Sequence, residues 1–162
     1  MSEARLSHLG QSGEAKMVDV SEKPVTRREA KAMARVRMSG EALAAVLAGN
    51  LPKGEVLGTA RLAGIQAAKR CSDLIPMCHP LPLTYVDVEC RIVEEKGWIE
   101  ILSTVRCEAR TGAEMEALTA AAVAALTVVD MAKSADPWMT IDGLTLLEKS
   151  GGKSGSLRRP VS

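Results

Sequence analysis

The stretch 112–135 limits the possible folds of this chain more than any other part of it. It opens with Glu114 and Glu116, continues through a body of Ala, Val and Leu, and closes on Asp130 and Lys133. This pattern predicts one long helix with charged ends. Because a helix rises about 1.5 Å per residue, Glu116 and Asp130 would lie about 21 Å apart. A small molecule rarely reaches that far, so we expect either two sites or one site built from two chains.

The composition favours one soluble globular domain. A length of 162 residues suffices for a core, and the absence of Phe predicts that this core is aliphatic. A formal charge of +1 argues against a nucleic-acid partner. No uncharged run approaches the roughly 18 residues that a membrane span needs, and the first residues lack the apolar region of a signal peptide. We therefore expect a cytoplasmic protein.

The cysteines do not form a metal-binding pattern. Cys71, Cys78, Cys90 and Cys107 include no C-x-x-C pair, and the chain contains two histidines. Zinc sites place cysteine and histidine ligands at characteristic spacings that are missing here. We expect free thiols, as in a reducing cytosol, and no metal site.

The hydrophobic spacing predicts an α+β domain. The period-two pattern near residues 30–38 favours a strand, although a helix is possible there. The predicted elements are a short strand at 17–20, a strand at 30–38, helices at 41–48 and 55–70, hairpin strands at 85–94 and 98–109, the long helix, and a strand at 139–147. This order is the split β-α-β pattern, which predicts an antiparallel sheet with helices on one face. Residues 1–15 resemble a flexible tail, 16–149 a single domain, and 150–162 a glycine-rich basic tail.

Two groups of residues are candidates for proton transfer. His79 lies in a loop with three prolines, which hold the backbone out of regular structure. It is either a proton shuttle or a hydrogen-bonded structural histidine. Asp130 and Lys133 lie three residues apart and face one side of the helix. They are either a surface ion pair or, if partly buried, an acid/base pair.

The charges at the start of the long helix have two interpretations. Glu114 and Glu116 suit the positive end of the helix dipole. They also suit a ligand with N–H or O–H donors, such as a base or a sugar. Because they are about 200° apart around a helix, both cannot face one pocket once the helix is regular. The alternative is that one of them acts from the turn at Gly112, before the helix begins.

Several basic residues are candidates for binding phosphates. These are Lys53, Lys69, Arg70, Lys149 and Lys153. The segment SGGKSG at 150–155 resembles a phosphate loop but lacks the GxxxxGK[ST] spacing and has no following helix. A flexible lid over an anionic ligand fits this segment better.

Four long segments together resemble the MoaC family of cyclic pyranopterin monophosphate synthases. They read MVDVSEKPVTRREA, KGEVLGTARLAGIQAAKRCSDLIPMCHPLPLT, TGAEMEALTAAAVAALTVVDMAKSAD and LLEKSGGKSG. The resemblance covers about residues 13–155, in the same order and with similar spacing.

This resemblance implies a ferredoxin-like subunit, a homohexamer built as a trimer of dimers, and active sites at the dimer interface. It implies conversion of 3′,8-cyclo-7,8-dihydroguanosine triphosphate into cyclic pyranopterin monophosphate, with release of pyrophosphate, in molybdenum cofactor biosynthesis. No cofactor is required, although Mg²⁺ can accompany the triphosphate substrate. The alternative is a non-catalytic protein of the same pathway that binds a purine nucleotide.

The resemblance also implies roles for particular residues. The catalytic residues that it implies are Asp130, Lys133 and Lys53. The substrate-binding residues that it implies are Met77, Cys78, His79, Glu114, Met115, Glu116, Lys69, Lys149 and Lys153. One departure is Val129, where the family often has Tyr, so a hydroxyl is missing beside the aspartate.

Overall fold

The computed structural model of the chain describes residues 15–153 and 155–160. The strands are β1 (Thr26–Arg37), β2 (Leu83–Val93), β3 (Trp98–Ala109), β4 (Thr140–Ser150) and β5 (Leu157–Arg158). The helices are α1 (Gly40–Ala48), α2 (Val56–Lys69), α3 (Cys71–Leu74) and α4 (Glu114–Ala132). The strand predicted near residues 30–38 is therefore confirmed as a strand, and the long helix is confirmed with slightly shorter bounds.

The strands form one antiparallel sheet in the order β2-β3-β1-β4-β5. Its first four strands have the arrangement of a split β-α-β unit, in which β1 lies between β3 and β4. Strands β2 and β3 form the predicted hairpin, which turns at Gly97 with a positive φ of 68°. The predicted ferredoxin-like α+β fold is thus confirmed.

The core lies between one face of the sheet and helices α2 and α4. Alternate residues of β1 point toward the helices and are fully buried, and they are small: Ala30, Ala32, Ala34 and Val36. The facing side of α4 is also built from small residues: Ala117, Ala120, Ala121, Ala124, Ala125 and Val128. Small side chains let the helix approach the sheet closely, so the predicted aliphatic core is present as a thin, dense layer.

The contact between α2 and α4 depends on Gly64. A Cβ at this position would lie 2.8 Å from the carbonyl oxygen of Ala120 and 3.2 Å from the Cβ of Ala124. Real Cβ atoms do not approach a backbone oxygen this closely, so the two helices meet at a distance that only glycine allows. This contact fixes α4, and therefore both of its ends, relative to the rest of the subunit.

Two parts of the sequence prediction differ from the structure. Residues 17–20 are not a strand. The Asp19 side chain accepts hydrogen bonds from the backbone N–H and the hydroxyl group of Ser21, and the N–H of Lys23 donates to the carbonyl oxygen of Val20, so the backbone forms a turn. Within the predicted C-terminal tail, Leu157 and Arg158 form β5 by pairing with Lys149 and Glu148. Of the N-terminal tail predicted at 1–15, residues 1–14 lie outside the described residues.

Helix α4 is long and apolar enough, by length and composition alone, to cross a membrane. Within the fold, 56% of its most apolar window is buried against other elements. The same composition is expected of a central helix that packs against a sheet on one side and a helix on the other.

Candidate active site

A cavity of about 450 Å³ lies at the start of α4. Three segments enclose it: the N-terminal segment through Val18, Val20 and Lys23, the loop 75–81, and the turn that leads into α4. Its lining includes six of the residues predicted to bind substrate, which are Met77, Cys78, His79, Glu114, Met115 and Glu116. The structure therefore brings together two motifs that are more than thirty residues apart in the sequence.

Regular helix geometry alone would keep Glu114 and Glu116 out of one pocket, but Glu114 reaches it over the turn at Gly112, which is the alternative that the sequence left open. Both line the cavity, although both belong to regular helix. The reason is Gly112, because a Cβ there would overlap the carboxylate of Glu114. The Glu114 side chain folds back over this glycine, and Lys149 holds it there through an ion pair of 2.7 Å.

Glu116 is buried in the wall of the cavity, with 4% of its surface exposed. Burial raises the pKa of its carboxyl group above the ordinary value, and the nearby charge of Glu114 acts in the same direction. Behind it, burial raises the pKa of the Cys71 thiol to about 12, so this cysteine remains a neutral thiol. Glu116 is consequently suited to holding a proton that a surface carboxyl would lose.

The start of α4 is capped in part by its own residue Glu116, whose carboxylate accepts a backbone hydrogen bond. The N-cap residue, Ala113, makes no side-chain capping bond. The first N–H groups of a helix have no partner inside the helix and attract acceptors. Lys149 pairs with Glu114 at this end of the helix and supplies a positive charge. Lys153, four residues later in the sequence, is exposed.

A second cluster lies at the other end of α4. Lys53 and Lys133 both donate to Asp130, with Nζ–O distances of 2.5 and 2.8 Å. Lys53 comes from the loop between α1 and α2, so the cluster joins residues 77 positions apart. Of the three residues predicted to be catalytic, Asp130 therefore contacts both lysines.

This cluster is more exposed than the sequence suggested. The side chain of Asp130 is 55% exposed and that of Lys133 is 59% exposed. The hydrogen bond from Lys133, followed by that from Lys53, lowers the pKa of Asp130 to about 2. Asp130 is thus a fixed negative charge between two ammonium groups and a poor proton acceptor as long as both remain attached.

Lys69 lies apart from both clusters, whereas four residues without a predicted role lie beside the cavity. Lys69 lies in the exposed last turn of α2 and does not line the cavity, so the structure does not bring it into the site. Sequence reasoning missed Val18, Val20 and Lys23 as wall residues, although they belong to a segment that carried the resemblance. Arg110 lines a shallower hollow beside His79 and was also missed.

The carboxylates of both clusters are poorly disposed to bind a divalent cation. Within residues 15–153 and 155–160, no group of three or more His, Cys, Asp or Glu side chains is placed to hold a metal ion. Mg²⁺ prefers carboxylate and phosphate oxygens. Here Glu114 and Asp130 are already paired with lysines, so this donor set does not fit a dedicated Mg²⁺ site.

The fold and the two clusters define a class of protein. It is an α+β protein with one antiparallel sheet, whose long central helix carries ionisable side chains at both ends. Residues 17–152 match the model of the MoaC family. The chain belongs to the MoaC family.

Relatives in this family resemble the chain over nearly its whole length. The cyclic pyranopterin monophosphate synthase of Thermomicrobium roseum is 56% identical, over 96% of this chain and 94% of the relative. Those of Herpetosiphon aurantiacus and Brucella ovis are 53% and 55% identical, over 97% and 93% of this chain and 96% and 92% of the relatives. The expectation of an enzyme is confirmed, and its place in molybdenum cofactor biosynthesis is supported.

Proposed function

We propose that the chain is a cyclic pyranopterin monophosphate synthase. The proposed substrate is 3′,8-cyclo-7,8-dihydroguanosine triphosphate, and the products are cyclic pyranopterin monophosphate and pyrophosphate. The observation that carries the proposal is the grouping of the residues implied by the family into two clusters, one at each end of α4. The match to synthases over more than nine-tenths of the chain supports it.

The cavity suits the base and sugar of such a substrate. Glu114 and Glu116 offer acceptors to the N–H and O–H groups of a guanine-derived ring, and His79 lines the same cavity from the loop 75–81. Because Glu116 keeps a proton more readily than an exposed carboxyl, it can also donate a hydrogen bond. Lys149, which pairs with the cavity residue Glu114, is the proposed first contact of the phosphate chain, and Lys153 follows it four residues later in the sequence.

The lysine–aspartate cluster suits the proton transfers. Rebuilding the ring as a pterin needs several proton transfers and no redox step. Asp130 holds two ammonium groups at its oxygens, and each can donate a proton or neutralise a developing negative charge. Asp130 becomes a useful base when the substrate draws one lysine away, because the loss of that partner raises its pKa.

Closure of the cyclic phosphate needs positive charge near the phosphate chain. A hydroxyl group of the sugar attacks the α-phosphorus, its proton passes to a base, and the bond to the bridging oxygen breaks as pyrophosphate leaves. Charge builds on the leaving group in this step, and Lys53, Lys149 and Lys153 are the proposed groups that neutralise it. No step in this scheme requires Mg²⁺ or another cofactor from the protein.

A single subunit does not bring both clusters to one small molecule. Glu116 and Asp130 are 14 positions apart on one helix, which corresponds to about 21 Å. We therefore propose that one subunit supplies the cavity and another supplies Asp130, Lys133 and Lys53. A homohexamer of three dimers with sites at the dimer interface has this property, and a cytoplasmic location fits the free thiols.

The direct test is turnover of the cyclic dihydroguanosine triphosphate. We expect the purified protein to release pterin product and pyrophosphate, detected by fluorescence after oxidation and by a coupled phosphate assay. We expect Asp130→Asn to lower the rate by about 10²–10⁴-fold, since the cluster loses the charge that orients both lysines. Glu41→Gln, an exposed carboxyl at the start of α1, is the control and should turn over normally. An inactive wild type that still binds the nucleotide would point instead to a non-catalytic binding protein.

A further inference from the structure

Cys71 is a buried thiol next to the cavity wall that the proposed mechanism does not use. It is the first residue of α3, the short helix that begins just after α2 ends, and 2% of its surface is exposed. Burial raises the pKa of its thiol to about 12. The thiol is therefore neutral at physiological pH and carries a hydrogen that it can donate.

The thiol of Cys71 contacts two polar side chains of α4. Its Sγ lies 3.5 Å from Oγ1 of Thr119, and these two atoms form a hydrogen bond. The carboxylate of Glu116, which lines the cavity, accepts a hydrogen bond from the same thiol. Because residues three apart on a helix face the same side, one thiol can reach both side chains.

These contacts distinguish Cys71 from a cysteine that only fills space in a core. Cys107 is of that second kind, because it is fully buried in β3 and no hydrogen bond affects its thiol. The hydroxyl of Thr119 belongs to a residue that is 8% exposed, and within residues 15–153 and 155–160 it bonds to Cys71 alone. A buried hydroxyl without a partner is costly, so the thiol and the hydroxyl hold each other in place.

Cys71 also anchors the loop 75–81 on the other side of the cavity. Its carbonyl oxygen accepts a hydrogen bond of 2.9 Å from the N–H of Ile75, whose carbonyl oxygen in turn accepts one of 3.0 Å from the N–H of Cys78. The thiols of Cys71 and Cys78 are also in hydrogen-bond contact. One residue therefore contacts two walls of the cavity, the loop and Glu116.

We propose that Cys71 is a positioning residue that holds the carboxyl group of Glu116 in one orientation at the cavity wall. A glutamate side chain has several rotatable bonds, and a fixed donor selects one arrangement of them before the ligand arrives. Thr119 is the second support, because its hydroxyl can donate to Sγ and leave the thiol hydrogen to Glu116. This inference rests on the proposed function for the identity of the ligand, a guanine nucleotide.

Several elements place titratable groups around the carboxyl group of Glu116. They are Glu114 on the same helix, Cys71 on α3, Cys78 and His79 in the loop 75–81, Lys23 in the N-terminal segment, and Cys107 on β3. In the described part of the chain, Cys71 is the side chain that donates a hydrogen bond to this carboxylate. That bond favours the charged form, so its loss should raise the pKa of Glu116 further.

The test measures GTP binding to the full-length protein by calorimetry between pH 5 and pH 8. We expect Cys71→Ala to weaken binding about fivefold at pH 7, because the carboxyl group loses its fixed donor. The midpoint of the pH dependence should move to higher pH relative to the wild type. Cys71→Ser keeps a donor at the same position and should restore both the affinity and the midpoint.

Cys107→Ala is the matched control. It removes a second buried thiol of the same size, at a position that does not contact Glu116. We expect wild-type affinity and an unchanged midpoint. Thr119→Val removes the other support at nearly constant volume and should produce a smaller loss in the same direction. This variant keeps the test decisive if Cys71→Ala does not fold.

A double-mutant cycle shows whether Cys71 acts through Glu116. Glu116→Ala removes the carboxyl group that the thiol is proposed to hold. In that background Cys71→Ala should have no further effect on GTP affinity. A cysteine that only supports the packing of α3 would weaken binding by the same factor in both backgrounds.

Four outcomes would overturn the inference. They are wild-type affinity and midpoint in Cys71→Ala (or in Thr119→Val, if that variant alone folds), equal losses in both backgrounds of the cycle, an equal effect of Cys107→Ala, and no GTP binding by the wild type. Turnover separates this inference from the proposed function. If Cys71→Ala makes product with the wild-type kcat/KM, the inference fails and the function stands. If the wild type makes no product but binds GTP in a Cys71-dependent manner, the function fails and the inference stands.

Discussion

Glu116 combines two properties that compete with each other. It is a carboxyl group in the wall of a ligand cavity, and it is buried almost completely. Burial makes the charged form costly, so the folded protein binds a proton at this position more tightly than the unfolded chain does. A buried carboxyl group in this position destabilises the fold, so ligand binding explains it better than packing does.

The pH dependence of stability tests this interpretation. Because the folded-state pKa of Glu116 is raised, its unfavourable contribution is absent below the unfolded pKa, develops as the pH rises from the unfolded to the folded pKa, and is complete above the folded pKa. We expect Glu116→Gln to leave the melting temperature near the wild-type value at pH 4 and to raise it relative to the wild type at pH 8. Calorimetry at pH 4, 6 and 8 measures this.

Glu22→Gln serves as the control, since Glu22 is exposed. Its melting temperatures should run parallel to those of the wild type. A Glu116→Gln curve that also stays parallel would contradict the proposed burial cost. The same variant should bind GTP more weakly, which separates a site residue from a merely unfavourable one.

For single residues, the sequence supplied candidates for the site but not their arrangement. His79 was a candidate from its loop, Cys78 only from the family resemblance, and Asp130 with Lys133 from their helical spacing, which left a surface ion pair equally open. The backward fold of Glu114 over Gly112 was not identifiable, because it depends on Lys149, which arrives from β4 only in the folded chain. The helical period predicts the direction in which a side chain projects from the helix axis. It does not predict where a contact from another element fixes the carboxylate.

Among the contacts between elements, the one between α2 and α4 is expected to contribute strongly to stability. We expect Gly64→Ala to lower the free energy of unfolding by about 1–2 kcal/mol, because overpacking against Ala120 and Ala124 outweighs the gain in helix propensity of about 1 kcal/mol. Denaturant unfolding with a constant m-value measures the change.

Gly40→Ala is the matched control for this prediction. Gly40 is the first residue of α1, and a Cβ there would meet nothing within 4 Å. We expect this variant to be as stable as the wild type or slightly more stable. Equal effects of the two substitutions would show that helix propensity, and not the helix–helix contact, governs the response.

The elements with strong periodicity were predicted, and the weakly patterned ones were not. In the hairpin strands and in α4 the apolar residues repeat over ten or more positions, so the period can be distinguished from a chance arrangement of residues. Residues 17–20 alternate too, but the Asp19 side chain competes for the backbone and forms a turn instead. Strand β5 has two residues, too few for any period, and exists because β4 offers an edge.

For the whole molecule, the two-chain site makes a prediction about mixtures. Asp130→Asn removes a group at one end of α4, and His79→Ala removes a group at the other. If these residues reach one site from different subunits, a mixed dimer keeps one intact site of its two. Random mixing of equal amounts should then restore about a quarter of the wild-type activity, although each variant alone is inactive.

The mixture needs two checks. Mixed oligomers are verified by mass spectrometry after co-refolding, using one subunit with an affinity tag. A mixture of His79→Ala with Glu116→Gln is the control, since both residues line the same cavity and no intact site can form. Absence of activity in verified mixed oligomers of the first pair would contradict the two-chain site.

The rigidity of α4 has a consequence for inhibition. Under the proposed assembly, each subunit lends the opposite ends of this helix to two separate pockets. A compound that wedges between α2 and α4 near Gly64 would displace both ends together. One subunit with bound compound would then inactivate two pockets. The fraction of activity lost would therefore exceed the fraction of subunits that have bound the compound.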